Sequence, residues 1–155
     1  MKIGFAGTLN GMTKRQKSAY LKIMRKLKMT YDNIDLHIGN CPGADRDAVE
    51  IILENRLVQS ISYYPSKEPA RTGFDMKEDF NPGEKKVRLI EMETRPHFER
   101  NRKIIDGCEA LIAVPKQERE EKDSETWAAI RYCKILKKRV FTIYPEGNTT
   151  KWPPH

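Results

Sequence analysis

The sequence predicts an α/β fold, a three-layer sandwich around a mainly parallel sheet of about five strands. Three observations predict it. Short apolar runs alternate with stretches of helical periodicity, and most of the runs stop at glycine or proline. The chain has 155 residues, 38% apolar and 33% charged, enough for one core and too few for two good ones. Parallel neighbours need crossovers, and right-handed crossovers place helices on both faces of the sheet.

The elements follow in order. Ile3 to Ala6 reads as a strand ending at Gly7. Thr13 and Gln16 form a capping-box pattern, after which Tyr20, Ile23, Met24 and Leu27 recur on one face of a helix reaching Lys28. Ile34 to Ile38 is a second strand, ending at Gly39, and Ala44 to Arg56 a second helix with Asp45 and Asp47 in its first turn, where acids suit the helix dipole. Val58 to Tyr64 alternates as a strand until Pro65 stops it. Residues 66–94 lack clear periodicity and are expected to form a long loop or a lid, although Val87 to Met92 has room for a short helix or strand. A helix follows Pro96 and runs to Gly107, carrying Phe98, Arg100, Arg102, Ile104 and Ile105. Ala110 to Val114 is a buried-type strand, Ser124 caps a helix reaching about Lys137, and Arg139 to Tyr144 is the last strand. One domain, 1–146, and a C-terminal tail, 147–155, are expected.

Charge narrows the class of partner. The net +7 equals the seven bases between Met12 and Lys28 (Lys14, Arg15, Lys17, Lys22, Arg25, Lys26 and Lys28), because the remaining bases and acids balance. A helix this basic is either a solvated outer face or a surface that attracts anions. No window is apolar enough to span a membrane and the start lacks the apolar core of a secretory signal, so a cytoplasmic protein without membrane partners is expected. Cys41, Cys108 and Cys133 make no CxxC pair and are expected to be reduced; with His37, His97 and His155 they match no zinc spacing, so no metal and no cofactor are assigned.

In open parallel sheets ligands bind beyond the carboxyl ends of the strands, near the point where strand order reverses. Four segments bring suitable chemistry there. Gly7-Thr8-Leu9-Asn10-Gly11 and Gly39-Asn40-Cys41-Pro42-Gly43-Ala44-Asp45 are glycine-bearing strand-to-helix turns, where the backbone can bend and free amides favour anions. Asp45 either holds a sugar hydroxyl or caps its helix. Glu99-Arg100-Asn101-Arg102-Lys103 supplies guanidinium groups for phosphate and an amide for a ribose or base edge. Ser124-Glu125-Thr126-Trp127 offers hydroxyls and amides, with Glu125 repelling phosphate but able to bind ribose hydroxyls or act as a base; Trp127 has core spacing with Ile130.

Together AGTLNGMTKRQ, IGNCPGADRDA, YYPSKEPARTGF, RPHFERNRKIIDGCEALIAVP and SETWAAIRYCKILKKRVFTIYP resemble the SLOG superfamily, which groups DprA-like and LOG-like proteins, and are most similar to its small YspA-like members. The resemblance spans nearly the whole chain apart from parts of 75–93 and the end after 146. It implies a Rossmann-like fold that binds nucleotides or molecules derived from them, usually as a homo-oligomer. It also implies that Arg102, in Arg102-Lys103, takes the place of the LOG enzymes' arginine, and it draws in Arg71 from the third matching stretch. The catalytic glutamate of those enzymes falls on Ala129, however. Relatives often have arginine where Leu9 stands and glycine where Glu125 stands.

Gly7, Thr8, Gly39, Gly43, Ala44, Asp45, Arg71, Asn101, Arg102, Ser124, Glu125 and Thr126 are therefore the expected ligand residues. Arg102 and Glu125 would be catalytic if the protein is an enzyme. Binding of a nucleotide-derived molecule, as sensor or sequestering protein, leads. N-glycosidic hydrolysis of a nucleotide is the alternative, since a carboxylate is needed to stabilise positive charge or activate water and only Glu125 or Asp45 can replace Ala129. Single-strand nucleic-acid binding through the basic helix comes third. Phe74 is placed to stack on a base if 66–94 is a lid.

Overall fold

A computed structural model describes residues 1–154. Seven strands form one sheet in the order β4-β3-β2-β1-β5-β6-β7: β1 Lys2–Gly7, β2 Asp35–Gly39, β3 Ser60–Tyr64, β4 Arg88–Glu91, β5 Ala110–Val114, β6 Arg139–Ile143 and β7 Thr149–Trp152. All pairs are parallel except β6 with β7. The four helices are α1 Lys14–Thr30, α2 Ala44–Glu54, α3 His97–Gly107 and α4 Glu125–Ile135. The fold is thus α/β and Rossmann-like, with three layers.

Handedness decides which helix lies where. The path from β1 to β2 to β3 moves one way along the sheet and carries α1 and α2 onto one face. The path from β4 back to β5 and on to β6 moves the other way and puts α3 and α4 on the opposite face. Strand alternation matches this division. Ile3, Phe5, Leu36, Ile38, Ile61, Ile112 and Val114 pack under α1 and α2 with Tyr20, Met24, Val49 and Ile52, while Ala6, Leu111, Ala113 and Val140 meet Ile105, Trp127, Ile130 and Cys133 under α3 and α4. Met24 is wholly buried, so truncating it to alanine should cost about 2–5 kcal/mol.

Thr13 caps α1 as its sequence indicates: its hydroxyl accepts from Gln16 N at 3.0 Å and Gln16 Oε1 accepts from Thr13 N at 3.0 Å. The same Gln16 amide donates to Pro115 O and Ile143 O, fastening α1 to the ends of β5 and β6.

Three expectations need correction. The sheet has seven strands rather than about five. β4 falls within Val87 to Met92, where the sequence has room for a short helix or strand, and β7, Thr-Thr-Lys-Trp, has no apolar alternation and is specified by its neighbour's backbone rather than by its own pattern. The segment 147–154 is accordingly part of the sheet, its Thr149 opposite Ile143 and its Trp152 opposite Val140. Residues 66–94 are more ordered than a loop: 3-10 turns at Pro69–Arg71 and Pro82–Lys85 and a π-helical turn at Met76–Phe80 precede β4. Phe74 faces the core, 5% exposed and edge-on to Phe80 at 5.3 Å, so it is not free to stack on a base.

Candidate functional site

Strand order reverses between β1 and β5, and the carboxyl ends of these two strands open into a cleft of about 280 Å3. Its walls are Gly7 at the end of β1 with Thr8, Leu9 and Asn10 after it, Lys116 after β5, Arg71 from the 3-10 turn, Glu121 and Asp123 from the loop before α4, and Ser124, Glu125 and Thr126 at the start of α4. Behind it is a smaller pocket of about 30 Å3, reached by Cys41, Asp45, His97, Arg100, Asn101 and Thr126. A third hollow of about 130 Å3 lies between α3 and α4 beside Phe98, Arg102 and Tyr132. Glu125 borders all three.

Glu125 is held from two sides. Arg71 Nη2 donates to its Oε1 at 2.7 Å and His97 Nε2 lies 2.6 Å from its Oε2. The hydrogen bond from His97, and then the charge of Arg71, hold the Glu125 carboxyl below its ordinary range against partial burial. Ser124 caps α4 by accepting from Trp127 N at 3.3 Å. The α4 terminus thus carries its own carboxylate, neutralised by an arginine that comes from 54 positions earlier in the chain.

Asp45 is the opposite case. It is 6% exposed, accepts from Cys41 N at 3.0 Å, and burial, only partly offset by Arg100, raises its carboxyl to about 6. It both closes the turn before α2 and borders the smaller pocket behind the cleft. The Cys41 thiol beside it is pushed up to about 12, by burial first and by Asp45 second, which leaves it a protonated, unreactive thiol. All three cysteines are free and buried. Among the described residues no group of three or more His, Cys, Asp and Glu side chains is placed to hold a metal ion.

No protein-family model, curated protein or solved structure matches the chain.

The expected ligand residues divide. Gly7, Thr8, Arg71, Ser124, Glu125 and Thr126 border the open cleft, and Asp45 and Asn101 the cavity behind it. Gly39, Gly43 and Ala44 border neither, because the two glycine turns are spent on each other. Ala44 N donates to Thr8 O at 2.9 Å, and Gly43, at φ +84, lies against the Leu9 carbonyl with no room for a side chain. Gly39 lacks a Cβ because the Arg100 guanidinium fills that space. A Cβ at Gly7 would stand 2.5 Å from that of Ala44, so this glycine also serves close packing.

Arg102 needs the largest correction. It lies outside the cleft and the cavity, exposed, its guanidinium 5.2 Å from the centre of the Tyr132 ring on α4. The inward arginine is Arg100, 1% exposed, which donates to Tyr64 O at 3.1 Å, Cys41 Sγ at 3.0 Å and His97 Nδ1 at 3.0 Å. No carboxylate comes within 4.0 Å of Arg100 among the described residues, so its buried positive charge is felt in the cavity and by Glu125 and Asp45. Trp127, as its spacing indicates, is a core residue, 8% exposed.

Sequence reasoning missed His97 as part of the site and preferred Arg102 to Arg100. The signal was present. Ile104 and Ile105 define the buried stripe of α3, and Arg100, Asn101 and His97 continue it one and two turns back, whereas Arg102 falls off it.

Proposed function

We propose that the protein binds a nucleotide-derived small molecule, a nucleoside monophosphate, an ADP-ribose-like compound or a cyclic nucleotide signal, and acts as a sensor or sequestering protein. One observation carries this reading: the 280 Å3 cleft lies at the reversal of strand order and is walled by Gly7, Thr8, Ser124, Thr126 and the paired Arg71 and Glu125. Hydroxyls, backbone amides, the Arg71 guanidinium, the Lys116 ammonium and the carboxylates of Glu121, Asp123 and Glu125 line this cleft, a donor and acceptor set that suits a ribose joined to a phosphate. Glu125, ionised and facing the cleft, takes sugar hydroxyls, and Arg71 a phosphate. Membership of the SLOG superfamily is part of the same proposal, on the motifs quoted above.

The test is direct. Small molecules released on denaturing the purified protein are examined by mass spectrometry, and AMP, ADP-ribose, NAD and cyclic dinucleotides are titrated by calorimetry. Binding of at least one of them, weakened tenfold or more by Arg71→Ala, is expected. A protein that binds none of these yet retards single-stranded DNA would remove this reading in favour of nucleic-acid binding.

A second reading, hydrolysis of an N-glycosidic bond, draws on one specific observation. Asp45 and Glu125 are two carboxyl groups whose surroundings push their proton affinities apart, and both border the 30 Å3 pocket behind the cleft. In that reading a water attacks the anomeric carbon as the carbon–nitrogen bond breaks toward the base, and a carboxylate takes a proton from the water and passes it to the departing base nitrogen. Release of free base from AMP, lost in Glu125→Gln and Asp45→Asn while binding persists, would establish it.

A further inference from the structure

On the far side of α3 from this cleft, a groove of about 390 Å3 opens beside Tyr64, Met92, Arg95, Lys103, Asp106 and Gly107. It opens beyond α3, which packs mainly on β2 and β1 and meets β3 at Tyr64 through Arg100 and Gly107. Its volume lies within the range of small-molecule pockets.

The groove has a built floor. Tyr64 OH lies 2.7 Å from His37 Nδ1, His37 Nε2 lies 2.8 Å from Asp35 Oδ2, and Ser62 Oγ donates to the same carboxylate at 3.0 Å. His37 and Tyr64 are 5% and 4% exposed. Burial works against an ionised Asp35, but hydrogen bonds from His37, Ser60 and Ser62 outweigh it and hold the carboxyl below its ordinary range. Tyr64 is pushed up to about 12, by burial first and by Asp35 second, so the phenol keeps its proton.

With His37 neutral, the chain has one direction. A neutral imidazole that donates from Nε2 to the Asp35 carboxylate presents a lone pair at Nδ1, and Tyr64 O–H donates to it. The phenolic oxygen is then left as an acceptor only. What stands above it is Gly107, where a Cβ would come within 2.8 Å of Tyr64 OH and 3.1 Å of His37 Nδ1. Tyr64 and Gly107 both border the groove, and a side chain at position 107 would crowd the hydroxyl.

The rim carries both signs of charge. Asp106 uses Oδ1 to accept from Tyr132 OH at 2.6 Å and has its second oxygen to spare. Arg95 is spent on Glu93 at 3.0 Å and Glu99 at 2.6 Å. Lys103, one helical turn before Gly107, has no carboxylate within 4.0 Å among the described residues, and Lys138 donates to the carbonyls of Ile105 and Asp106. A phenolic acceptor and a carboxylate call for a hydrogen-bond donor that is positively charged, and a free ammonium on the same rim calls for an anion. Met92 adds an apolar wall. We propose that this groove is a second ligand site and that it takes a free α-amino acid, its ammonium toward Tyr64 and Asp106 and its carboxylate toward Lys103.

The site is independent of the nucleotide reading, and its test does not depend on it. The full-length, 15N-labelled protein is titrated with the common L-amino acids one at a time, and each that binds is compared with its N-acetyl and its amide form. Saturable shifts of the Met92, Lys103 and Gly107 amides are expected for at least one amino acid. Blocking either end of the ligand should weaken it tenfold or more, about 1.4 kcal/mol. Tyr64→Phe, which keeps the ring, should weaken it by a similar factor, and Lys103→Gln, at an exposed position, should abolish the preference for the free carboxylate over the amide. Three results would each overturn the proposal: no amino acid moving those amides at millimolar concentration, an N-acetyl form binding as well as its parent, or Lys103→Gln leaving the preference intact.

Discussion

His97 joins α3 to α4 by placing its Nε2 2.6 Å from Glu125 Oε2. Its other ring nitrogen accepts from Arg100 Nη2 at 3.0 Å, which is possible only for an unprotonated Nδ1, so the proton on the ring is at Nε2 and points at Glu125. A buried guanidinium thereby orients an imidazole, and the imidazole orients a carboxylate at the mouth of the cleft.

Glu125→Gln should change the acid limb of stability. The native Glu125 carboxyl lies below its ordinary range, so its contribution is complete above the unfolded value, near 4.3, and disappears as pH falls through the native one. Urea unfolding at a series of pH values should show the variant less stable at neutral pH by about 1–2 kcal/mol, as for a half-buried pair, with the difference closing below the ordinary carboxylate range. An equal difference at all pH values would show that the loss is packing rather than charge.

Asp45 should act with the opposite sign. Burial raises its native carboxyl to about 6 from an ordinary 3.8, so between these values the folded protein binds more protons than the unfolded chain. Stability contributed by this group therefore falls as pH rises through that window. Asp45→Asn, whose amide oxygen can still accept from Cys41 N, should flatten this decline in the same unfolding series; an unchanged slope would place the native carboxyl at an ordinary value.

Arg100→Ala should cost more than about 3 kcal/mol, because it opens a cavity and strips donors from Tyr64 O and His97 Nδ1 at once. Arg102→Ala, which removes only an exposed stacking contact with Tyr132, should cost about 0.5–1 kcal/mol. Gly39→Ala should resemble the Arg100 variant, since its methyl group would strike the guanidinium. Chemical denaturation of the three side by side checks the ranking, and an Arg102 variant as damaged as Arg100 would reverse the assignment of α3's inner face.

How much was legible follows from what kind of signal each feature leaves. β5, Ala110–Val114, reads at its true limits because it is buried on both faces and every residue is apolar. The Thr13–Gln16 capping box is local and also reads correctly. β7 leaves no trace, because Thr149–Trp152 forms a strand only where β6 offers an edge. The site was legible where it depends on turns after strands, at Thr8 and Ser124, and not where it depends on a contact between distant elements. Arg71 meeting Glu125, and His97 turning its Nε2 toward it, are products of the crossover that brings α3 beside α4. The turn from Gly39 to Asp45 divides for the same reason: its glycines pack against the first turn and against Arg100, while Cys41 and Asp45 border the pocket behind the cleft.

The basic helix gives the last prediction. Arg15 pairs with Glu146 at 3.0 Å, Lys17 with Asp47 at 3.8 Å, and Arg25 donates to Asn55 at 3.2 Å, while Lys22 and Lys26 are exposed without a carboxylate partner among the described residues. None of these side chains borders the cleft. Their charge acts on a ligand through solvent, where it is screened over about 8 Å at physiological ionic strength. The double variant Lys22→Glu with Arg25→Glu should therefore slow association of a nucleotide ligand by less than about threefold at low salt and leave it unchanged at physiological salt. Its dissociation rate should be unaltered, whereas Arg71→Ala should raise that rate. Stopped-flow measurements at two ionic strengths separate the effects. If the helix variant instead raised the dissociation rate and Arg71→Ala did not, the binding surface would be the basic face of α1, and single-stranded nucleic acid would replace the nucleotide as the partner to pursue.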